Sequence, residues 1–455
     1  MKLSTDNIDM TRGIPWQRIL WFSFPLILAN LFQELYSVTD SAIVSRFSGL
    51  NALAAIGGTG WVRSAFLRIC MDCSTAFSIA ASQRVGAGNW DGFRKVMAEG
   101  IKFSFMLSGG LIGIMVPLTD IVLEILQIQP DIYKDARLYL LLMTFAIPLS
   151  VAYNMTCAFL RASGDSRTSF RAILLSSIVN IVLDLLFVAA FGWGVAGAAA
   201  ATIAAQMLSV VIVLKAAIRD EHYRIPRVYW KRENTILKEM ARLWIPMFGN
   251  SVAISAGGVI AQRPVNASGA IVAAGIGVGV RIYCLLEAAE KAVASGIGVF
   301  VGQNMGAGQY GNIRRGMKSM AVFSMVFSLA VMSVLLLAND WLILLFMNKA
   351  QPYDDLQVAV TSAKVYLSVQ AFSIFLMVPM HFFRSALQAM GHVVYPLIGA
   401  FLQVAARTLT VMFLPAYFGL AGLCMPDGTS ALVTLPVVVI PYLIYIRNLQ
   451  NTKAG

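Results

Sequence analysis

Twelve long apolar stretches constrain this chain more than any other feature. They lie at about 15–45, 52–82, 95–117, 136–158, 169–190, 195–218, 240–263, 269–300, 317–338, 356–383, 393–414 and 420–446. A helix needs about 20 mainly apolar residues to cross a bilayer. Only helices and closed barrels satisfy their own backbone groups in lipid. Barrel strands would read as ten-residue runs of alternating polarity, whereas these runs are long and continuous, so helices are expected. Twelve spans leave about 38 residues for each span with its loop, and no extramembrane domain fits. Composition agrees: 13% of residues are charged and 58% hydrophobic, half the charge that a water-facing surface needs.

The same balance excludes disordered and collagen-like chains, and five Cys in 455 residues exclude a disulfide-stapled one. The formal net charge of +12 is read as basic loops facing anionic lipid, with no nucleic-acid partner. No short apolar core with a small-residue cleavage site precedes Pro15, so the first span is expected to direct insertion. With the N-terminus inside, 23 basic residues fall on the cytoplasmic side and five (Arg46, Lys134, Arg137, Arg263 and Lys349) on the other. Eight of the 23 lie in the middle loop: Lys215, Arg219, Arg224, Arg227, Lys231, Arg232, Lys238 and Arg242. Both termini are expected in the cytoplasm of a cell (inner or plasma) membrane protein.

The chain also repeats itself. Pro25 in FPLILAN matches Pro246 in IPMFGNS at a separation of 221, and SQRVGAG from Ser82 matches GQNMGAG from Gly302 at 220. Tyr139, Phe145, Ile147, Leu160, Ala162 and Gly164 match Tyr366, Phe372, Ile374, Leu387, Ala389 and Gly391, all at 227. Six spans precede the basic loop and six follow it, so both halves start on the same side and the repeat is parallel. The expected fold is an all-α membrane protein of twelve helices in two pseudo-symmetric six-helix bundles. It comprises an N-terminal lobe at 1–218, a cytoplasmic linker at 219–239 and a C-terminal lobe at 240–455. Such bundles expose a midplane site to each side in turn, which is a transporter's architecture. Pro25 and Pro246 are expected to kink their helices.

Ionisable residues inside spans cost about 3 kcal/mol on insertion scales and mark function. Arg68 with Asp72, and Glu287 with Lys291, stand four apart and can neutralise each other. Asp40 and Asp184 have no basic residue three or four positions away, so their charge needs a distant partner, a bound cation or a proton. Asn180 lies one turn before Asp184 and offers a hard amide oxygen. Gln33 and Tyr36 continue the polar stripe of Asp40, and with Tyr139 and Asn154 they are the expected contributors to a substrate cavity. Gly192, Gly194 and Gly197 fit G-x-G-x-x-G but follow no strand and read as a tight turn. Cys70 and Cys73 form a lone C-x-x-C, read as two small residues on a helix face. His222, His381 and His392 form no H-E-x-x-H, and neither a metal site, a cofactor nor an enzyme is expected.

FPLILANLFQELYSVTD, the two GAG loops and NIVLD in the fifth span resemble the multidrug and toxic compound extrusion (MATE) family of cation-coupled antiporters. The similarity runs from about Pro15 to Ile446, and the branch it resembles is that of the DNA-damage-inducible protein F transporters. The resemblance implies H+ or Na+ coupling in the N-terminal lobe, on Asp40, Asn180, Asp184 and Thr202. Branches that couple in the C-terminal lobe use carboxylates of the seventh, eighth and tenth helices, of which only Glu287 and Glu290 have counterparts here. Glu34, Arg63 and Arg68 depart from the family pattern. The expected function is export of organic, cationic or amphiphilic drug-like compounds against an inward cation flow, by a monomer in lipid. The alternative is a lipid-linked oligosaccharide flippase of related architecture, kept open by Arg63, Arg68 and Arg263.

Overall fold

The structure, a computed structural model, describes residues 7–231, 234–346 and 353–454. Of the basic residues counted above, Lys2, Arg232 and Lys349 lie outside the described residues. Every element among the described residues is helical. In chain order these are α1 (Pro15–Gly86), α2 (Trp90–Ile125), α3 (Pro130–Phe145), α4 (Ile147–Ala162), α5 (Arg167–Asp184) and α6 (Gly194–Arg219). They continue with α7 (Asn234–Ala267), α8 (Ala270–Gly306), α9 (Tyr310–Leu337), α10 (Asn339–Phe346), α11 (Tyr353–Ala389), α12 (Val394–Phe418), α13 (Leu420–Cys424) and α14 (Pro426–Ala454). A π-helical turn, Leu185–Ala190, follows α5, and two 3-10 turns, Glu221–Tyr223 and Arg227–Trp230, lie between α6 and α7.

Ten of these helices are long and apolar enough to cross a membrane, and an eleventh span results if α3 and α4 are taken together. The chain is thus a multi-pass helical membrane protein. Three of the expected spans differ in detail. The first two are joined in α1, which breaks only at Gly49 (φ 84°, ψ 175°), a conformation open to glycine and strained for other residues. The part after this break carries Arg63, Arg68, Asp72 and Arg84 and is not among the ten. The stretch expected to span at 136–158 is not one helix, because α3 and α4 meet at Ala146 with a bend of 42°. Pro148 in the first turn of α4 has no N–H to continue the ladder of α3, so the helix restarts there. The last stretch begins as the short α13 and restarts at Pro426.

The chain divides into two compact units. Unit 1 holds Phe22–Trp244 with the short stretch before Met10, and unit 2 holds Met10–Trp21 with Ile245–Gly455. Pro25 lies inside α1, shortly after Phe22 where that helix changes unit, and Pro246 inside α7, directly after the change at Ile245.

In unit 1 an apolar cluster including Val44, Ala55, Leu123, Leu140, Val188 and Ala199 holds α1, α2, α3 and α6 together. The segment after α6 is fastened to the same unit. Arg94 donates to the carbonyls of Glu221 and His222 (both 3.3 Å), Lys102 to that of Lys231 (3.3 Å), and the Tyr223 hydroxyl meets Ser163 Oγ at 2.5 Å. Arg84 grips Glu239 of α7 through two bonds of 2.8 and 2.6 Å. In unit 2, a Cβ added to Gly275 of α8 would stand 2.2 Å from the carbonyl oxygen of Ala359 in α11. These two helices therefore cross in backbone contact, which only a small residue permits in a membrane bundle.

Candidate functional site

Polar residues recur on one face of several unit 1 helices: Ser176, Ser177, Asn180 and Asp184 on α5; Thr202, Gln206 and Ser209 on α6; Ser150 and Asn154 on α4; Gln33, Tyr36 and Asp40 on α1. Spacings of three and four place each set along one stripe. Except for the two aspartates, these side chains line a cavity of about 160 Å³, together with Tyr153 and the apolar Leu67, Met71, Ile173 and Ala205. No ionisable carboxylate or base lies in its wall. Ser176, Thr202 and Ser209 each spend their proton on a carbonyl of their own helix (3.1, 2.9 and 2.8 Å), so their oxygens present lone pairs to the space. Asn180 is buried, and neither its Oδ1 nor its Nδ2 has a hydrogen-bond partner among the described residues. The wall is rich in acceptors and suits a guest with N–H donors or a partly hydrated cation.

One turn beyond Asn180, Asp184 is fully buried, at the point where α5 passes into its π-helical turn. Single π-turns inside helices are common at functional sites. Its carboxyl and that of Asp40 come close enough to interact directly. Neither oxygen of Asp184, nor Oδ1 of Asp40, receives a hydrogen bond from the described residues. Two ionised carboxylates in contact repel each other, and a proton or a small cation between them relieves both the repulsion and the missing donors. The Arg63 guanidinium acts electrostatically on Asp40, Tyr36 and Tyr139. Arg63 stands one and two turns before the cavity residues Leu67 and Met71, and its Nε is buried without an acceptor among the described residues. Of the two carboxyls, the guanidinium acts on that of Asp40.

The structure brings Gln33, Tyr36, Asn154, Asn180 and Thr202 to one cavity, with Asp40 and Asp184 beside it. Tyr139 lies in the apolar cluster instead of the cavity wall. Glu34 and Arg68 are exposed on unit 1. In unit 2, Glu287 pairs with Lys291 at 3.0 Å as its spacing implies. Glu290 contacts His381 of α11, a partner 91 residues away that no local pattern indicates. Tyr153, Gln206 and the serines also line the cavity, and the sequence signal for them is their recurrence at i, i+3, i+4 and i+7.

Among the described residues no group of three or more His, Cys, Asp or Glu could hold a metal ion. Lipid-facing helices around an acceptor-lined cavity define the class: a multi-pass membrane transporter. The chain belongs to the MatE family, whose model matches residues 25–186 and 246–414. These proteins are transporters rather than enzymes and use ion gradients in place of cofactors. Among the relatives, the probable multidrug resistance protein YpnP of Bacillus subtilis is 28% identical over 309 residues, 66% of this chain and 67% of that protein. The multidrug export protein MepA of Staphylococcus aureus is 22% identical over 450 residues, 96% of each. A crystal structure of MATE in complex with MaL6 superposes with a TM-score of 0.90 at 22% identity, covering 98% of this chain and 100% of that one.

Proposed function

We propose that this protein is a secondary antiporter of drug-like organic compounds, cationic or amphiphilic, driven by an inward flow of H+ or Na+. Asp40 and Asp184 take up the coupling ion, Asn180 and Thr202 contribute neutral oxygens, and Gln33, Tyr36 and Asn154 hold the guest. The observation that carries this reading is a pair of interacting carboxyls without donors among the described residues, beside a cavity of acceptors. When the ion is present the pair loses charge, and when it leaves the field over the cavity grows more negative and favours a cationic guest. Occupancy by one excludes the other, and this competition lets one gradient drive the other flux. The names of the relatives favour drug export over the lipid-linked oligosaccharide flippase.

The reading includes twelve spans in two lobes, with Pro25 and Pro246 as bending points, and both termini in the cytoplasm. A monomer suffices, because cavity and carboxyls all lie within unit 1. The test uses everted vesicles with an imposed proton or sodium gradient and ethidium as the guest. Asp40→Asn and Asp184→Asn keep side-chain volume but remove the ionisable group. Each is expected to insert normally and to lose at least about 90% of gradient-driven efflux, the tenfold effect of about 1.4 kcal/mol. Ethidium binding is expected to survive, since a neutral amide resembles the ion-loaded acid. Robust efflux by the double variant would refute the mechanism.

A further inference from the structure

The repeat separation of 227 gives the cavity wall of unit 1 a counterpart in unit 2. Helices α5 and α12 begin at Arg167 and Val394, 227 apart, so Ser176 and Asn180 of the wall correspond to Gln403 and Arg407 of α12. In the same way Tyr153 of α4 corresponds to Met380 of α11, and Cys157, one turn beyond Tyr153, corresponds to Arg384. Where unit 1 presents a hydroxyl and a neutral amide, unit 2 therefore presents an amide and two guanidiniums.

These donors converge on a poor acceptor. Nη2 of Arg384 donates to Met380 Sδ (3.7 Å), and Nε2 of the buried Gln403 donates to the same sulfur (3.3 Å). A thioether accepts weakly, and a guanidinium left with one forgoes the charge-assisted bonds that a pair of oxygens would supply. Nε of Arg384 is buried without an acceptor among the described residues. Glu290 acts on this guanidinium electrostatically, but its Oε1 is taken up by His381 and no hydrogen bond joins Glu290 to Arg384. Arg407 acts on Arg384 as well; it spends Nη2 on Asp427 Oδ1 (2.7 Å) and keeps a buried Nε without an acceptor among the described residues. Backbone bounds Arg407 on the side of α7: a Cβ on Gly257 would stand 3.3 Å from its Cδ, and one on Gly258 would stand 3.9 Å from its Nη1. The side chains of Arg407 and Asp427 keep 16% and 29% of their surface exposed, so the cluster opens to the surface of unit 2.

We infer that Arg384, Gln403 and Arg407 form a binding site for the carboxylate of an organic solute, opposite in hydrogen-bonding sense to the cavity of unit 1. The planar carboxylate takes the N–H fork of Arg384 in place of the thioether, Gln403 donates to one of its oxygens, and Arg407 adds a second positive charge. Asp427 does not compete for Arg384, because it is already held by Arg407 and, at 3.1 Å, by Gln370. The guests of the protein thus extend from cations to amphiphiles that carry a carboxylate, zwitterions included. The site uses no residue of unit 1 and stands apart from the ion-coupling reading.

Rhodamine B and its ethyl ester share one xanthylium cation and differ only in the carboxylate, so the ratio of their affinities isolates the site. Binding is read by fluorescence anisotropy at neutral pH, with the full-length protein in phosphatidylcholine nanodiscs and empty nanodiscs subtracted. The protein is expected to bind the acid about tenfold more tightly than the ester, the effect of one hydrogen-bonded charge. Arg384→Gln is expected to bring that ratio to within about twofold of unity, and Arg384→Lys, which keeps the charge without the fork, to recover part of it. Gln403→Met, which removes the amide donor at similar volume, is expected to lower the ratio by about threefold. Equal affinities for acid and ester in the unaltered protein, or a ratio that survives Arg384→Gln, overturn the site. If Arg384→Gln does not fold, a ratio indifferent to Gln403→Met overturns it.

Discussion

Among the ionisable residues of the spans, Glu287 and Glu290 show how three positions along one helix decide a role. Glu287 faces Lys291, whose side chain is 61% exposed, and pairs of this kind contribute at most about 1 kcal/mol. Glu287→Gln is therefore expected to reduce ethidium efflux by no more than about fivefold, and the double change with Lys291→Gln to restore part of that loss. Abolished export in Glu287→Gln without recovery in the double variant would instead place coupling in the C-terminal half. Glu290, one turn along, points to a different helix and has an open oxygen. Arg63 belongs to the same scale: its fixed positive charge acts on Asp40 from beyond the break at Gly49.

At the scale of the element, the internal repeat reappears as hydrogen bonding. After α1, Ala87, Gly88 and Asn89 donate to the carbonyls of Gln83, Val85 and Arg84; after α8, Ala307, Gly308 and Gln309 donate to Gln303, Met305 and Asn304. Gly88 and Gly308 have φ of 69° and 64°, the left-handed turn that ends a helix. Gly164 and Gly391, 227 residues apart, repeat the device at φ 96° and 87°. Their surroundings differ, since a Cβ on Gly164 would stand 2.3 Å from the carbonyl oxygen of Ile8, whereas nothing lies within 4 Å of one on Gly391. Gly391→Ala is expected to carry only the backbone penalty, about 1–2 kcal/mol. Gly164→Ala adds a backbone clash and should melt at a clearly lower temperature in detergent; equal melting temperatures would contradict the packing of Ile8 over this turn.

For the whole molecule, the basic segment that follows α6 within unit 1 is the place to test orientation. It is tied to unit 1 by Arg94, Lys102 and Tyr223, and Val228 within it is 61% exposed. None of the five native cysteines is in a disulfide and all but Cys284 are buried, so replacing Cys284 alone gives a background without an accessible thiol. In that background Val228→Cys is expected to resist a membrane-impermeant maleimide in intact cells and to react once they are permeabilised, because basic loops stay in the cytoplasm. Labelling from outside would reverse the topology.

Membrane embedding, all-helical class and family were legible along the chain, because spans are written as continuous apolar runs and a tandem repeat preserves its turn residues at a fixed separation. Asp40 and Asp184 stood out for the same local reason: no opposite charge lies within a helical turn. What the sequence could not decide is whatever depends on which helix faces which. That Asp40 and Asp184, 144 positions apart, act on each other, and that Glu290 meets His381, follow from helix packing. So does the placement of Tyr139 in an apolar cluster rather than on the cavity wall. The break at Ala146 and the π-turn after Asp184 are likewise invisible to an apolar pattern, which is the same for a straight, a bent or a wider helix. Hydropathy specifies how much of a segment leaves water; only the close packing of neighbouring helices selects the partners of each buried polar group.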